Sequence, residues 1–162
     1  GGAARAVFWA LASRRVAEIR VVNRRPEAAH RLVRDLARTG VRAEVGPVPL
    51  RPGMVVVQAT PVGMAPEVDG TVFTWPDRVP SGVVACDLVY RPSGTRFLGE
   101  AGQRGARLLG GLGMLVHQAV AAIEIFTGRR PDAGLLRRVA EQALSSDRCT
   151  APAGGPGSAD GC

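Results

Sequence analysis

Two short apolar runs constrain the fold of this chain more than any other feature. Met54-Val55-Val56-Val57 and Val83-Val84-Ala85-Cys86 contain no polar residue at a solvent-facing alternate position, which is typical of strands buried on both faces of a parallel sheet. Segments with helical and strand-like patterns alternate before, between and after them. Because neighbouring parallel strands need crossover connections, this alternation predicts an α/β fold built on a doubly wound parallel sheet.

The expected elements follow from periodicity and from glycine and proline positions. Residues 66–82 are expected to be irregular and polar, and the Gly-, Ala-, Pro- and Ser-rich residues 145–162 are expected to form a disordered tail. One domain is expected over residues 1–144. Strands are predicted at 17–22, 42–45, 54–57, 83–86 and 106–109, and helices at about 3–14, 27–39, 95–102, 113–128 and 132–144. The long helix should carry one apolar stripe, and the last helix one apolar inner face: Leu112, Leu115, Val116, Ala119, Ile123 and Phe126, then Leu135, Leu136, Val139, Ala140 and Ala143.

Charge and composition argue against several classes of function. The net charge is +7, yet all 21 basic residues are arginines that are scattered along the chain, and aromatic residues make up only 4%. Nucleic-acid binding would favour a clustered basic face with aromatic residues for stacking, so an anionic small molecule is the expected partner. No apolar run reaches the ~20 residues of a membrane span. The three cysteines lack metal-ligand spacing, which favours a reducing, cytoplasmic setting.

The chain opens with a glycine pair directly before an apolar helical run. In Gly1-Gly2-Ala3 the small residues allow close approach of a pyrophosphate, and a helix start offers unpaired N–H groups to it. The next strand ends at Asn23-Arg24-Arg25, with no carboxylate before Glu27. In a dinucleotide-binding β-α-β unit, an acidic residue there suits a ribose 2′-hydroxyl, whereas arginine suits a 2′-phosphate. The stretch therefore predicts NADP rather than NAD, with an ordinary helix start and a solvated arginine pair as the alternative.

Three segments, each directly after a predicted strand, carry a family resemblance. They are Gln58-Ala59-Thr60-Pro61-Val62-Gly63-Met64, Asp87-Leu88-Val89-Tyr90 and Gly111-Leu112-Gly113-Met114-Leu115-Val116-His117-Gln118. Together with the opening stretch they resemble the C-terminal NADP-binding domain of the shikimate dehydrogenase family, over residues 1 to about 144. The resemblance implies a Rossmann-like fold and an NADP-linked oxidoreductase that interconverts shikimate and 3-dehydroshikimate, on the pathway to aromatic amino acids.

The resemblance also implies roles for individual residues. Thr60 would border the cofactor, Leu88 and Met114 would lie beside the nicotinamide ring, and Gly111 near its amide group. Gln58 stands where the family usually has Asn, so no side-chain role is inferred for it. His117 is not expected to be a catalytic base. The implied cofactor-binding residues are Gly1, Gly2, Ala3, Asn23, Arg24, Arg25, Thr60, Leu88, Gly111 and Met114, the implied substrate-binding residues are Tyr90 and Gln118, and no metal ligand is implied.

The catalytic groups are expected elsewhere. By resemblance, a Lys and Asp pair in an N-terminal substrate domain performs the acid–base chemistry, and this chain contains no lysine. We therefore expect no catalytic residue and no dehydrogenase activity in these 162 residues alone, with that N-terminal domain as the natural partner and a homodimer left open. The chain also resembles a unit whose first, central strand is missing, which predicts a gap or an exposed edge between the strand ending at Val22 and the strand at 55–57.

Two alternatives remain at this stage. One is a relative that acts on quinate or on an amino-substituted shikimate, because substrate selection in the family lies mostly in the N-terminal domain. The other is a non-catalytic dinucleotide-binding module. A nucleic-acid function ranks last.

Overall fold

A computed structural model of the chain describes the backbone of residues 1–149 and the side chains of residues 1–145. Within that part, helices and parallel strands alternate, so the predicted α/β class is confirmed. Residues 1–111 form one compact unit, and the chain from Leu112 onward forms a second. The elements are α1 Gly2–Ser13, β1 Glu18–Val21, α2 Pro26–Asp35, a 3-10 turn Ala37–Thr39, β2 Arg42–Val45, β3 Val55–Gln58, β4 Val84–Asp87, α3 Arg96–Gln103, β5 Arg107–Leu109, α4 Leu112–Thr127 and α5 Ala133–Cys149.

The strands of residues 1–111 form two separate parallel sheets. In the first sheet β1 pairs with β2, and in the second β3 pairs with β4 and β4 with β5. Strands β1 and β3 do not pair with each other. The predicted gap between them is therefore present, and Val55 at the start of β3 is half exposed.

The three-stranded sheet has its own apolar core. Ala85 of β4 and Val83, the residue before that strand, pack with Phe97 of α3. Trp75 joins this core at 3% exposure, with its ring 4.7 Å from that of Phe73 and 5.2 Å from that of Phe97. The expectation that residues 66–82 are simply irregular and polar was incomplete, because this segment has no regular hydrogen-bonded structure yet supplies aromatic residues to the core.

A second, smaller core lies beside the two-stranded sheet. Phe8 of α1, Ile19 of β1 and Leu36 are buried together there. Pro26 occupies the first turn of α2, where its missing N–H costs no hydrogen bond. Gly40 follows the 3-10 turn with φ of +73°, a left-handed conformation that glycine adopts without steric penalty.

From Leu112 onward the described chain consists of α4 and α5, which pack against each other. Val116 and Val120 of α4 are buried, but Phe126 is 86% exposed, so the predicted apolar stripe was wrong at that residue. Leu135 and Val139 of α5, predicted on an inner face, are about half exposed as well. Helix α5 continues to Cys149 rather than ending at residue 144, and the rest of the predicted tail, residues 150–162, lies outside the described residues.

The predicted single domain over residues 1–144 stays a prediction. Among the helices that the structure describes, none combines the length and the apolar character needed to cross a bilayer.

Candidate functional site

The loop that follows β3 is held by the side chain of Gln58. This residue is the last of β3 and is buried, at 3% exposure. Its amide oxygen accepts a hydrogen bond from the backbone N–H of Thr60 at 2.6 Å, and its amide nitrogen donates to the carbonyl of Val62 at 2.9 Å. The Gln58 side chain thus supplies hydrogen-bond partners for two backbone groups of the turn that have no backbone partner. The sequence analysis did not assign this role.

The loop that follows β4 is held by a buried carboxylate. Asp87 ends β4 at 0% exposure. One of its oxygens accepts from the backbone N–H of Val89 at 2.9 Å, and the other accepts from the hydroxyl of Thr95 at 2.6 Å. The Thr95 hydroxyl in turn accepts from the backbone N–H of Leu98 at 3.4 Å and caps α3. A threonine directly before a helix signals a cap, but nothing local in the sequence indicates the Asp87 partner.

These two loops are joined to each other by backbone hydrogen bonds. The N–H of Leu88 donates to the carbonyl of Gln58 at 3.1 Å, and the N–H of Ala65 donates to the carbonyl of Arg91 at 3.0 Å. Because β3 and β4 are parallel neighbours, both loops leave the sheet at its carboxyl edge, where open α/β sheets place their ligands. The structure therefore brings the segments of Thr60, Leu88 and Tyr90 together, and the Tyr90 side chain is exposed.

Gly111, which follows β5, packs directly on the backbone of the loop after β4. Its N–H donates to the carbonyl of Val89 at 3.3 Å. A Cβ at residue 111 would lie 2.4 Å from the carbonyl oxygen of Leu88 and 2.7 Å from that of Val89. Only glycine fits this close approach of two backbones. Of the predicted site residues, Leu88 and Gly111 are thus in direct contact.

The predicted 2′-phosphate pocket lies after β1. The side chain of Asn23 accepts a hydrogen bond from the N–H of Arg25 at 2.8 Å, which fixes the turn into α2. Arg24 and Arg25 are exposed, and within residues 1–145 neither side chain has an acidic partner. Both guanidinium groups are therefore available to an anion.

The predicted pyrophosphate segment lies at the start of α1. Gly1 is the N-terminal cap of the helix and accepts a hydrogen bond from the N–H of Arg5 at 3.2 Å. A Cβ at Gly1 or Gly2 would have no atom within 4 Å, and both residues are exposed. The N–H groups of the first turn, which includes Ala3, have no partner within the helix and can face an anion.

Met114 and Gln118 belong to the second unit. Both lie on α4 and are exposed, whereas Leu115 and Ala119, on an adjacent face, are partly covered. Their roles toward cofactor and substrate stay predictions.

The thiol of Cys86, in the first unit, has a shifted pKa. Burial raises the pKa of the Cys86 thiol, and the neighbouring charge of Asp87 adds to the increase. Cys86 therefore stays a neutral thiol in β4 at neutral pH. Among the residues that the structure describes, no group of three or more His, Cys, Asp or Glu side chains could hold a metal ion.

Comparison with known proteins identifies relatives of this chain. The family model described as the Shikimate 5′-dehydrogenase C-terminal domain matches residues 111–141. The chain is 41% identical over 153 residues to a shikimate dehydrogenase (NADP(+)) of Symbiobacterium thermophilum, in a match that covers 89% of this chain and 52% of that protein.

Solved structures show the same likeness. The shikimate 5-dehydrogenase of Thermus thermophilus, in complex with NADP(H) and shikimate, superimposes with a TM-score of 0.72 at 36% identity, covering 89% of this chain and 52% of that one. A quinate dehydrogenase of Corynebacterium glutamicum in complex with NAD gives a TM-score of 0.72 at 31% identity, covering 88% and 52%. The chain spans about half the length of the relatives that it matches. In sequence and in fold the chain is thus similar to the C-terminal part of shikimate dehydrogenases.

Proposed function

We propose that this chain is the NADP-binding part of a shikimate dehydrogenase, an oxidoreductase that interconverts shikimate and 3-dehydroshikimate with NADP⁺ and NADPH. The observation that carries the proposal is the close backbone contact between Gly111 and Leu88. Glycine alone at residue 111 lets the chain after β5 reach the Leu88 carbonyl. Relatives with this fold include shikimate dehydrogenases, one of which is solved with NADP(H) and shikimate bound.

The cofactor's two ends would be held by different parts of the chain. The N–H groups at the start of α1 suit a pyrophosphate, and Arg24 and Arg25 suit a 2′-phosphate, because a guanidinium pairs with phosphate oxygens through two parallel hydrogen bonds. The loops after β3, β4 and β5 would receive the nicotinamide end at Thr60, Leu88 and Gly111.

Met114 and Gln118 on α4 would contact the nicotinamide ring and the substrate respectively, and Tyr90 would donate a hydrogen bond to a substrate hydroxyl or carboxylate. NADP supplies the hydride acceptor for oxidation of an alcohol carbon. The residues of this chain would bind and orient it.

Catalysis needs more than this chain. Hydride transfer at an alcohol carbon requires a group that takes up and returns the hydroxyl proton, and the Lys that performs this in the family has no counterpart in a chain without lysine. We therefore propose that the chain binds NADP⁺ without turnover and that activity requires the half of such a protein that this chain does not span.

Calorimetric titration of the purified chain with NADP⁺ and NAD⁺ tests the binding proposal. The expected result is saturable binding that is tighter for NADP⁺, with no NADPH formed when shikimate is added. The protein from the complete reading frame should then reduce NADP⁺ with shikimate. Binding of neither dinucleotide, or a complete protein that oxidises a different substrate but not shikimate, would contradict the proposal.

A quinate dehydrogenase is the second candidate. The solved quinate enzyme matches this chain with the same TM-score as the Thermus shikimate enzyme, so the fold of this part does not separate the two. Comparing kcat/KM of the complete protein on shikimate, quinate and aminoshikimate decides among them. A non-catalytic NADP-binding module would instead bind NADPH and oxidise none of the three.

We place this function in the cytoplasm, with small-molecule partners. A homodimer is the assembly that size-exclusion chromatography with light scattering should test first.

A further inference from the structure

The first unit contains a buried polar pair for which the proposed function has no use. Asp87 is 0% and Thr95 is 3% exposed. Their side chains meet at 2.6 Å, and the two residues stand at the start and the end of the loop that carries Leu88 and Tyr90. Burial of such groups costs free energy unless each is hydrogen-bonded. We therefore expect the hydrogen bonds of this pair to fix the conformation of the backbone segments that they contact.

The hydrogen bonds of the pair fix both ends of one loop. Asp87 accepts a hydrogen bond from the N–H of Val89 at 2.9 Å, at the start of the loop. Thr95 holds the first turn of α3 through the N–H of Leu98. The segment between them is thus anchored at its start and at its end by the same carboxylate.

The anchored loop is also the surface on which Gly111 rests. Gly111 donates to the carbonyl of Val89, the residue whose N–H Asp87 accepts. A Cβ at Gly111 would lie 2.4 to 2.7 Å from the backbone of Leu88 and Val89, so there is no room for even one more carbon atom at this contact. A small rotation of the peptide after Leu88 would separate the backbone surfaces of Leu88 and Gly111.

We propose that Asp87, through its hydrogen bonds to Val89 and Thr95, is a positioning residue that sets the nicotinamide side of the cofactor site. This inference rests on the proposed function, since it takes Leu88 and Gly111 as the residues that receive the nicotinamide. It assigns no contact between Asp87 and the cofactor. In consequence, Asp87 should affect only binding of the nicotinamide end of the cofactor, and Arg24 only binding of the adenosine 2′-phosphate end.

Asp87→Asn is the informative substitution. An asparagine oxygen can still accept from Val89 and its amide can donate to the Thr95 oxygen, but the Thr95 hydroxyl proton then loses the carboxylate oxygen that accepts it. Thr95→Val removes the hydroxyl from the other side while keeping the shape of the side chain. Thr95→Ser keeps the hydroxyl and is the matched control.

The test compares two ligands on the full chain, NADP⁺ and adenosine 2′,5′-bisphosphate, by calorimetry. The second ligand carries the 2′-phosphate but no nicotinamide. Asp87→Asn and Thr95→Val should each weaken NADP⁺ binding by about tenfold, as expected for one unsatisfied buried group, and leave binding of the bisphosphate unchanged. Thr95→Ser should match the unsubstituted chain for both ligands. Amide hydrogen exchange should be faster at Val89 and Gly111 in the first two variants and unchanged at Ile19 in β1.

The outcomes separate this inference from the proposed function. If the unsubstituted chain binds both ligands and the two variants lose both equally, or lose neither, Asp87 has only a general structural role and the inference is overturned. If the unsubstituted chain binds neither ligand, the proposed function fails and the inference fails with it. If Asp87→Asn does not fold, the Thr95→Val and Thr95→Ser pair gives the same comparison.

Discussion

The α-carbon of Gly111 faces the carbonyl oxygen of Leu88 so closely that a methyl group at residue 111 would lie 2.4 Å from that oxygen. The atoms on the other side are backbone and cannot rotate away. The two residues follow neighbouring parallel strands, β5 and β4, so their contact joins the segments after these strands at the carboxyl edge of the three-stranded sheet.

Gly111→Ala should therefore destabilise the chain and weaken NADP⁺ binding. Overpacking against fixed atoms costs about 1–3 kcal/mol or more, and the shift needed to relieve it displaces the loop of Leu88. Gly110→Ala is the matched control, because a Cβ at residue 110 would have its nearest neighbour, the carbonyl oxygen of Ser93, at 3.8 Å. Urea denaturation and NADP⁺ titration of both variants check this, and equal behaviour of the two would refute the steric account.

Gln58→Leu should destabilise the first unit by about 1–3 kcal/mol, because it removes two part-buried hydrogen bonds and leaves the N–H of Thr60 and the carbonyl of Val62 without their protein partner. Gln103→Leu, at the exposed end of α3, should change stability by less than about 0.5 kcal/mol. The free energy of unfolding from urea titrations measures both. A Gln58→Leu variant as stable as the Gln103→Leu variant would show that the loop does not depend on this side chain.

Arg24→Ala should weaken NADP⁺ binding by about 10- to 100-fold while NAD⁺ binding stays nearly constant, since only NADP⁺ carries the phosphate with which the guanidinium would form charge-assisted hydrogen bonds. Arg78→Ala removes another exposed arginine from a loop far along the chain and serves as the charge-matched control. Parallel titrations with both dinucleotides are the measurement. Equal losses for NADP⁺ and NAD⁺ would indicate a general charge effect instead of 2′-phosphate recognition.

Trp75→Ala should cost about 3–5 kcal/mol of stability, as for other large-to-small changes in a core, because Trp75 is buried and packs against the rings of both Phe73 and Phe97. Trp9→Ala is the comparison, since Trp9 is 54% exposed and should lose less than about 1 kcal/mol. Thermal and urea unfolding followed by far-UV circular dichroism check the difference. Similar losses would mean that residues 66–82 do not contribute to the core.

Cys86 should make stability fall at alkaline pH. Its pKa is raised in the folded chain by burial and by Asp87, so the unfolded chain releases this proton first, and stability decreases as pH rises above about 8.5, the pKa of an unperturbed thiol. Cys86→Ser, which does not titrate there, should flatten the decrease. Unfolding free energies between pH 7 and 10 measure it, and identical pH profiles for both proteins would count against the burial effect.

Local sequence patterns predicted much of this architecture. The β-branched runs at β3 and β4, the glycine after the 3-10 turn and the proline that opens α2 each act within a few residues, and each element lies close to its predicted position. The opening between β1 and β3 was predicted from the resemblance to a dinucleotide-binding unit whose first, central strand is missing. The segments of Thr60, Leu88 and Gly111 could be placed at one sheet edge because the carboxyl ends of parallel strands meet there.

The sequence by itself determined the order of helices and strands and which segments leave the sheet at its carboxyl edge, because these depend on periodicity and connectivity along the chain. Only the tertiary structure decided that Trp75 enters the core, that Phe126 stays exposed and that Gln58 and Asp87 hold the two loops. Such choices depend on which atoms meet across the fold. A buried amide or carboxylate is satisfied by partners that no local pattern specifies.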